Sequence, residues 1–295
     1  MDIIVGTNHL DLLGGTETFV MTLVEELCIQ GHAVDILTLR PGIVSDYLKK
    51  RFGVRVNDVH KYPDLIILNH VPVVNMAKDL FPGGKIIQVV HGVKHELEQP
   101  VSGVVHVAIS KEIQSYLFTK GFESTVILNP VNCKSFFPST QVNLNIKNIL
   151  SFSQSEDFNN MLSDVCSSLN FNLVTINKHK NPIFDVRSEI LKSDVVVSLG
   201  RGAFESMACG RPVLVADSRD YQGGLMDGFI TPDNIEQLLV NNCSGRTMQD
   251  IVTTSSLAQV LSQNTSILEQ GIFNRNYASQ HFDVNFIVKK YLELA

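Results

Sequence analysis

The chain has 295 residues, of which 44% are hydrophobic and 18% charged, and this describes a globular protein of one large or two medium domains. Its formal net charge of -6 argues against nucleic acid as a partner, and its five scattered cysteines argue against a disulfide framework or a zinc site. The first residues, M-D-I-I-V-G, lack the basic character of a signal peptide and no apolar run is long enough to cross a membrane, so we expect a cytoplasmic protein.

Short apolar segments alternate with amphipathic segments in the first half of the chain, a pattern that predicts an α/β protein with parallel sheets. The first helix is predicted over 16–30, because apolar residues recur at helical spacing until Gly31 ends them. Ser110 is the predicted N-cap of a helix that ends near residue 120. The strands predicted in this half are 3–5, 34–39, 65–68, 86–90, 104–109 and 125–128.

The polar, turn-rich residues 138–145 separate two stretches of similar pattern and are interpreted as an interdomain linker. We therefore predict two domains, 1–143 and 144–295, each with its own sheet. Ligands bind such folds outside the carboxyl ends of the strands, so functional residues are expected there. The strands predicted after the linker are 149–152, 173–176, 195–197 and 213–215, and the predicted helices are 234–240, 248–261 and 285–294.

Residues 194–216 carry the strongest site signal, which is a buried strand, a glycine-containing turn, a short helix and a second strand. Arg201 and Gly202 belong to the predicted turn, and Glu205 is predicted on the first turn of the helix. An arginine and the backbone amides of Gly202 and Ala203 at a helix N-terminus favour the binding of a phosphate. The carboxylate of Glu205 can accept hydrogen bonds from sugar hydroxyls. The alternative interpretation is a buried structural loop whose glutamate caps its own helix.

Two further segments are candidates for ligand binding. Gly14 and Gly15 precede the first helix, where paired glycines let a bound group approach the backbone; a flexible turn is the alternative. His91 directly follows the predicted strand 86–90, where its imidazole can hydrogen-bond a diphosphate or a sugar hydroxyl. A structural histidine is the alternative for His91, and His70 has a similar position after its own predicted strand.

A small basic cluster, Lys49, Lys50 and Arg51 with Arg55, lies on a predicted surface helix. We interpret it as a solvated helix face. Contact with an anionic membrane surface is the alternative, and it corresponds to a cytoplasmic protein held peripherally at a membrane.

Several motifs occur here in the order in which one enzyme family carries them. They are G-G-T-E at 14–17, G-H-A-V at 31–34, V-A-I-S-K at 107–111, V-I-L-N-P-V-N at 126–132 and E-S-M-A-C-G-R-P-V at 205–213. Together they resemble the retaining GT-B-fold glycosyltransferases of group 1, the family-four type. The resemblance implies two Rossmann-like domains that face each other across a cleft, with a nucleotide-diphosphate sugar bound mainly by the second and an acceptor bound mainly by the first. The last helix, about 283–295, is similar to the family's closing helix and can pack back on the first domain.

By position, the resemblance places Glu205 on the ribose hydroxyls of the donor, Gly15 with its neighbour Gly14 near the donor diphosphate, and His91 beside the transferred sugar. It also implies retention of anomeric configuration, with neither a metal ion nor a cofactor. The nucleotide-diphosphate sugar is then a co-substrate.

The chain departs from the family pattern at two places that matter for the donor. The family carries an additional glutamate where this chain has Val197, and residues 149–156 lack the arginine and lysine that clamp the diphosphate in the family. Arg201 is the predicted substitute, because one guanidinium can contact a phosphate through two hydrogen bonds.

We therefore predict a metal-independent, hexosyltransferase-like enzyme of glycan or glycoconjugate biosynthesis. It would move a sugar from a nucleotide-diphosphate donor to a glycan, a lipid-linked or a small-molecule acceptor. A catalytically silent GT-B protein that binds a nucleotide or glycan as a partner subunit is the alternative, motivated by the missing clamp residues. A nucleotide-sugar epimerase fits less well, because no pair of acid/base carboxylates can be assigned.

Overall fold

The computed structural model describes residues 1–59, 61–140, 142–219 and 223–295, so residue 141 of the predicted linker lies outside the described residues. Contacts divide the chain into two compact units: unit 1 contains Met1–Pro130 and Val284–Ala295, and unit 2 contains Val131–Asp283. This division falls earlier in the chain than the predicted boundary between residues 143 and 144.

Two arginines hold the segment after Pro130 against the rest of unit 2. Arg275 donates to the carbonyls of Cys133 and Phe136 at 3.2 and 2.9 Å. Arg211, only 1% exposed, donates to the carbonyl of Thr140 at 3.2 Å. These hydrogen bonds from side chains of unit 2 tie the backbone of the segment to that unit, so the segment folds as part of unit 2.

The strands of unit 1 form a parallel sheet, seven in number among its described residues. They are β1 (Asp2–His9), β2 (Ala33–Arg40), β3 (Arg55–Val56), β4 (Leu65–Asn69), β5 (Ile86–Val90), β6 (Val105–Ala108) and β7 (Thr125–Val126), in the spatial order β3-β2-β1-β4-β5-β6-β7. The helices between them are α1 (Gly15–Ile29), α2 (Ile43–Phe52), α3 (Val71–Leu80) and α4 (Lys111–Thr119). The strand order reverses between β1 and β4, so the carboxyl ends of these strands flank the topological switch point, where α/β folds bind ligands.

The core of unit 1 covers both faces of the central strands, as a parallel sheet requires. On one face Val5 and Ile67 pack in the same cluster as Leu23 of α1. On the opposite face Ile4 and Ile66 pack in the cluster that contains the apolar residues of α3. This double packing fixes the carboxyl ends of β1 and β4, from which polar side chains then project.

Unit 2 has a mixed sheet among its described residues. Its strands are β8 (Asn148–Ser151), β9 (Asn172–Thr175), β10 (Val195–Val197), β11 (Val213–Arg219), β12 (Gly223–Phe229) and β13 (Asp250–Ile251), in the spatial order β13-β12-β11-β10-β8-β9. Its helices are α5 (Glu156–Leu169), α6 (Arg187–Lys192), α7 (Gly200–Ala208), α8 (Ile235–Val240), α9 (Thr254–Gln263) and α10 (Ile267–His281). The strands β9, β8, β10 and β11 are parallel, whereas β12 and β13 are antiparallel additions. The switch point of this sheet lies between β8 and β10.

The last helix, α11 (Val284–Leu292), returns to unit 1. Its residues Ile287, Val288 and Tyr291 are buried in the same cluster as α1, and the ring of Tyr291 lies 6.3 Å from that of Phe19. Among the described residues, no helix combines the length and the apolar character that a membrane crossing needs.

Most predicted elements are present, and one predicted helix is wrong. Ser110 caps α4 as predicted, accepting a hydrogen bond from the backbone N–H of Ile113 at 3.4 Å. The helix predicted over 248–261 begins only at Thr254, because Thr253 is its N-cap and accepts from the N–H of Ser256 at 3.0 Å. The residues before this cap include β13, whose pairing with β12 no local periodicity indicates.

Candidate functional sites

The first candidate site lies at the switch point of unit 1. Thr7 lies near the end of β1, Asn69 ends β4, and His91 directly follows β5, as predicted. Gly6 pairs with Leu68 and Asn69 pairs with Val89, so these strand ends lie side by side. The parallel register therefore brings three polar side chains from distant parts of the sequence to one edge of the sheet.

His91 is held by contacts on its backbone and on its ring. Its backbone N–H donates to Glu98 Oε2 at 2.8 Å, and its Nε2 lies 3.1 Å from Asn69 Oδ1. The ring also meets the ring of Phe19 from α1 edge to face, with centroids 4.8 Å apart. Because a carbonyl oxygen only accepts, the contact with Asn69 Oδ1 places a proton on His91 Nε2.

His70 is part of the same arrangement. Its side chain is buried, with Nδ1 3.1 Å from Thr7 Oγ1 and Nε2 3.3 Å from Glu98 Oε1. Its backbone has φ 61° and ψ 132°, a conformation that costs a residue with a side chain about 1–3 kcal/mol. Strain of this kind persists where surrounding contacts over-determine it, and it is frequent at functional sites.

Glu98 connects the two histidines and was not among the residues predicted from the sequence. It ends a short 3-10 helix, Glu96–Glu98, and is only 7% exposed. Burial raises the pKa of its carboxyl group, but the hydrogen bond from His70 and the charges of His91 and His70 outweigh burial, so the net pKa lies below the ordinary value. The group is therefore a buried carboxylate at neutral pH.

Two buried amide atoms at this edge have no hydrogen-bond partner among the residues that the structure describes. They are Asn8 Oδ1 and Asn69 Nδ2, on side chains that are 7% and 0% exposed. Buried polar atoms are nearly always paired with protein, water or ligand. One acceptor and one donor here are thus available to a hydroxyl group, which has both functions.

The predicted glycines lie at the start of α1. Gly14 is its N-cap with an extended backbone, and Gly15 is its first residue. A Cβ at Gly14 would collide with Glu17 Oε2, whereas a Cβ at Gly15 would meet nothing within 4 Å. Within the described part of the chain, the space beside Gly15 is thus open, and no neighbouring atom requires a glycine there.

The second candidate site lies on α7, which follows β10 at the switch point of unit 2. The helix starts at Gly200, so Arg201 and Gly202 are helical rather than part of a turn. The prediction that Glu205 lies on the first helical turn is wrong for the same reason, since it lies one turn later. The four-residue spacing of Arg201 and Glu205 places both side chains on the same face of the helix.

Arg201 and Glu205 form an ion pair on that face. Arg201 Nε lies 2.8 Å from Glu205 Oε1, and the side chains are 10% and 11% exposed. Burial raises the pKa of Glu205 above its ordinary value, and the charge and hydrogen bond of Arg201 offset part of that rise. The two residues that the sequence assigned to phosphate and ribose are therefore partners of one another in this structure.

The helix start limits which amides can bind an anion. The first N–H groups of a helix have no partner within it, and here these belong to residues 199–202, so Ala203 donates within the helix. The N–H of Gly200 donates to the Cys243 carbonyl at 3.1 Å. A Cβ at Gly202 would collide with Ser198 Oγ, so this glycine has a packing reason as well.

The opposite side of this switch point is formed by the loop after β8. Ser153 Oγ donates to Asp217 Oδ1 at 2.5 Å, and both residues are buried. Lys180 forms an ion pair with Glu156, and both residues line a cavity of about 410 Å³. No lysine or arginine occurs in the sequence 149–156 itself.

The basic cluster divides into two parts. Lys49, Lys50 and Arg51 lie exposed in the last turn of α2, where positive charges interact favourably with the helix dipole. Arg55 lies on β3 instead, and donates through Nε and Nη2 to the carboxylate of Asp35 at 3.0 and 2.7 Å. Within the described ranges, no three His, Cys, Asp or Glu side chains come together as a group that could hold a metal ion.

No protein-family model matches the chain, and no curated protein matches it in sequence. Solved structures are nevertheless similar over nearly its whole length. A glycosyltransferase from Rickettsia africae ESF-5 is 16% identical and superposes with a TM-score of 0.63. The matched region spans 99% of this chain and 97% of the Rickettsia chain. The glycotransferase of kitacinnamycin is 13% identical with coverage of 99% and 98% and a TM-score of 0.60.

A third similar structure is an α-glucosyltransferase in complex with UDP and a 13-mer DNA, 13% identical, with coverage of 100% and 99% and a TM-score of 0.60. At these identities the similarity shows the fold. The predicted fold class, α/β with the GT-B architecture of two Rossmann-like domains, is confirmed.

Proposed function

We propose that this chain is a glycosyltransferase that moves a sugar from a nucleotide-diphosphate donor to a hydroxyl of an acceptor. The observation that carries the proposal is the buried Arg201–Glu205 pair on α7, at the switch point of the unit 2 sheet. The shared fold with glycosyltransferases and the motif resemblance at 205–213 support the same reaction class.

The donor chemistry follows from the two members of the pair. The guanidinium of Arg201 and the N–H of Gly202 would bind the diphosphate, and the carboxylate of Glu205 would accept hydrogen bonds from the ribose hydroxyls. On donor binding, Arg201 would exchange Glu205 for the diphosphate, and Glu205 would exchange Arg201 for the ribose hydroxyls. Arg201 would then face the negative charge of the diphosphate, and the carboxylate of Glu205 would accept hydrogen bonds from neutral hydroxyls, so neither group would lack a polar partner.

The roles in unit 1 are proposed separately. His91 would hydrogen-bond the transferred sugar or the reacting hydroxyl, through an imidazole whose orientation is set by Asn69 and Phe19. The open space beside Gly15, together with Gly14 at the cap of α1, would admit a phosphate group to the helix N-terminus. The buried amide atoms of Asn8 and Asn69 would pair with acceptor hydroxyls.

The proposed mechanism rests on electrostatic stabilisation of the leaving diphosphate. Negative charge develops on that group as the bond to the sugar breaks, and preorganised cations and amides lower the energy of this state. Arg201 is the cation in this role. Retention, independence of metal ions and the absence of a further cofactor belong to the proposal through the motif resemblance.

The acceptor is proposed to be a glycan, a lipid-linked or a small molecule. One similar structure contains DNA, but the net charge of -6 does not favour a nucleic acid acceptor for this chain. The proposal includes peripheral contact with an anionic membrane, which the exposed cations of α2 would make.

The test is a panel of UDP-, GDP- and ADP-sugars in which release of nucleoside diphosphate is measured with and without candidate acceptors. We expect slow hydrolysis of one donor and its loss in Arg201→Lys, which keeps the charge but not the two-point contact. Arg55→Lys is the matched control, since Arg55 is paired with Asp35 away from the site. Binding without turnover would favour the silent partner subunit, and absence of binding by every nucleotide would contradict both.

A further inference from the structure

A chain of polar contacts in unit 1 links His70 to His91 through a single carboxylate. Glu98 Oε1 lies 3.3 Å from His70 Nε2, and Glu98 Oε2 accepts the backbone N–H of His91 at 2.8 Å. His70 Nδ1 in turn lies 3.1 Å from Thr7 Oγ1 at the end of β1. The loop that carries His91 is thereby connected across the switch point to a strand of the central sheet.

The imidazole of His70 is not explained by its local backbone position. His70 is the N-cap of α3, but its side chain makes no capping hydrogen bond. Its backbone, with φ 61° and ψ 132°, favours glycine over any residue with a side chain. The imidazole therefore occupies this position for its contacts with Thr7 and Glu98 rather than for the helix start.

We propose that His70 and Glu98 are positioning residues for His91, a role that rests on the proposed transfer reaction. Glu98 fixes the main chain of His91, and His70 fixes the carboxylate of Glu98. The ring of His91 is then aimed by Asn69 and Phe19. Since a misplacement of about 1 Å at a reacting group can cost about 100-fold in rate, control of the His91 backbone has a measurable consequence.

Two substitutions of His70 separate positioning from folding. His70→Gln keeps an amide N–H near the place of Nε2, so it can still donate to Glu98, whereas the shorter His70→Asn bears the same backbone strain but loses that donor. We expect His70→Asn to lower kcat about 10- to 100-fold with little change in the donor KM, and His70→Gln to keep most of the activity. Equal losses in the two variants, no loss in either, or a loss confined to KM would overturn the proposal.

The backbone amide proton of His91 supplies a readout that needs no turnover. Its hydrogen bond to a carboxylate should move its NMR resonance downfield, and we expect that shift to be lost in His70→Asn and Glu98→Ala but kept in His70→Gln. The amide of Asp2, which donates to Asp64 at 2.8 Å, is the internal control and should stay unchanged. Movement of the Asp2 resonance as well, or an unmoved His91 resonance in His70→Asn and Glu98→Ala, would overturn the proposal.

The two readouts also distinguish this proposal from the proposed function. If the His91 resonance responds as expected but no donor is turned over by the native chain, the transfer reaction is wrong and the positioning contacts stand. If the native chain turns over a donor but the His91 resonance is the same in every variant, the positioning role is wrong and the transfer reaction stands.

Discussion

Replacing Arg201 with methionine is expected to destabilise the fold by about 3 kcal/mol at pH 8, because it leaves the buried carboxylate of Glu205 unpaired. The separation of 2.8 Å corresponds to a Coulomb attraction of about 6 kcal/mol at an effective dielectric constant of about 20. The cost of burying the two charges cancels part of this attraction in the native chain. Removal of one partner loses the attraction but keeps the burial cost of the other.

The destabilisation should depend on pH in a definite direction. The pKa of Glu205 in the folded chain is already above its ordinary value of 4.5, so its contribution to stability is largest below that pH and falls as pH rises through the folded pKa. Without Arg201 this pKa rises further, and one pKa unit corresponds to about 1.4 kcal/mol. We therefore expect Arg201→Met to cost only about 1 kcal/mol at pH 5, where Glu205 can bind a proton.

The assay is urea denaturation of the native chain, Arg201→Met, Glu205→Gln and the double variant at pH 5 and pH 8. The double variant should be more stable than Arg201→Met alone at pH 8, since neither position 201 nor position 205 then carries a charge. Lys192→Met is the matched control, because Lys192 and Glu189 form an exposed pair whose loss should cost about 0.5 kcal/mol or less. An equal loss of unfolding free energy in Arg201→Met at both pH values, or a double variant no more stable than Arg201→Met at pH 8, would refute the reasoning.

Three other predictions concern unit 1. Gly15→Ala should leave stability unchanged or raise it by up to about 1 kcal/mol, since its Cβ meets open space. Calorimetry should show that the variant binds nucleoside diphosphate more weakly. A marked loss of stability would show that the position is not open. Glu98 stabilises the fold above its ordinary pKa of 4.5, and this contribution is lost as pH falls through its lowered folded pKa. Glu98→Gln should therefore flatten the loss of stability below pH 4.5 in urea titrations, and an unchanged slope would contradict it. Ser110→Ala should cost about 1 kcal/mol in thermal unfolding, and no cost would show that the cap of α4 is not needed.

Features that depend on local spacing could be predicted from the sequence. The run Val195–Val197 is fully buried in a parallel strand, and Ser110 caps its helix. His91 follows the strand that its neighbours predict. Such signals depend on residues only a few positions apart, which contact one another in the helix or strand itself.

Features that depend on distant contacts could not be predicted in the same way. The sequence H-E-L-E at 95–98 does not show which carboxylate reaches the backbone of His91, because this depends on how the loop after β5 folds back. The antiparallel pairing of β12 with β11 likewise has no local signature in a segment with three glycines.

The Arg201–Glu205 pair lies between these cases. Its four-residue spacing is the ordinary signal for an ion pair on a helix, and it is visible in the sequence. The glycines at 200 and 202 predicted a turn instead, because glycine disfavours helix interiors. Because the helix starts at Gly200, positions 201 and 205 are both helical and their side chains meet on one face.

The most direct test of the proposed donor site is titration calorimetry of the native chain and Arg201→Lys with UDP, GDP and ADP and with the corresponding nucleosides. We expect one nucleoside diphosphate to bind the native chain, and Arg201→Lys to weaken that binding about 10-fold or more while nucleoside binding hardly changes. Equal weakening for the nucleoside and its diphosphate, or a native chain that binds none of the three diphosphates, would contradict the assignment of α7 as the donor site.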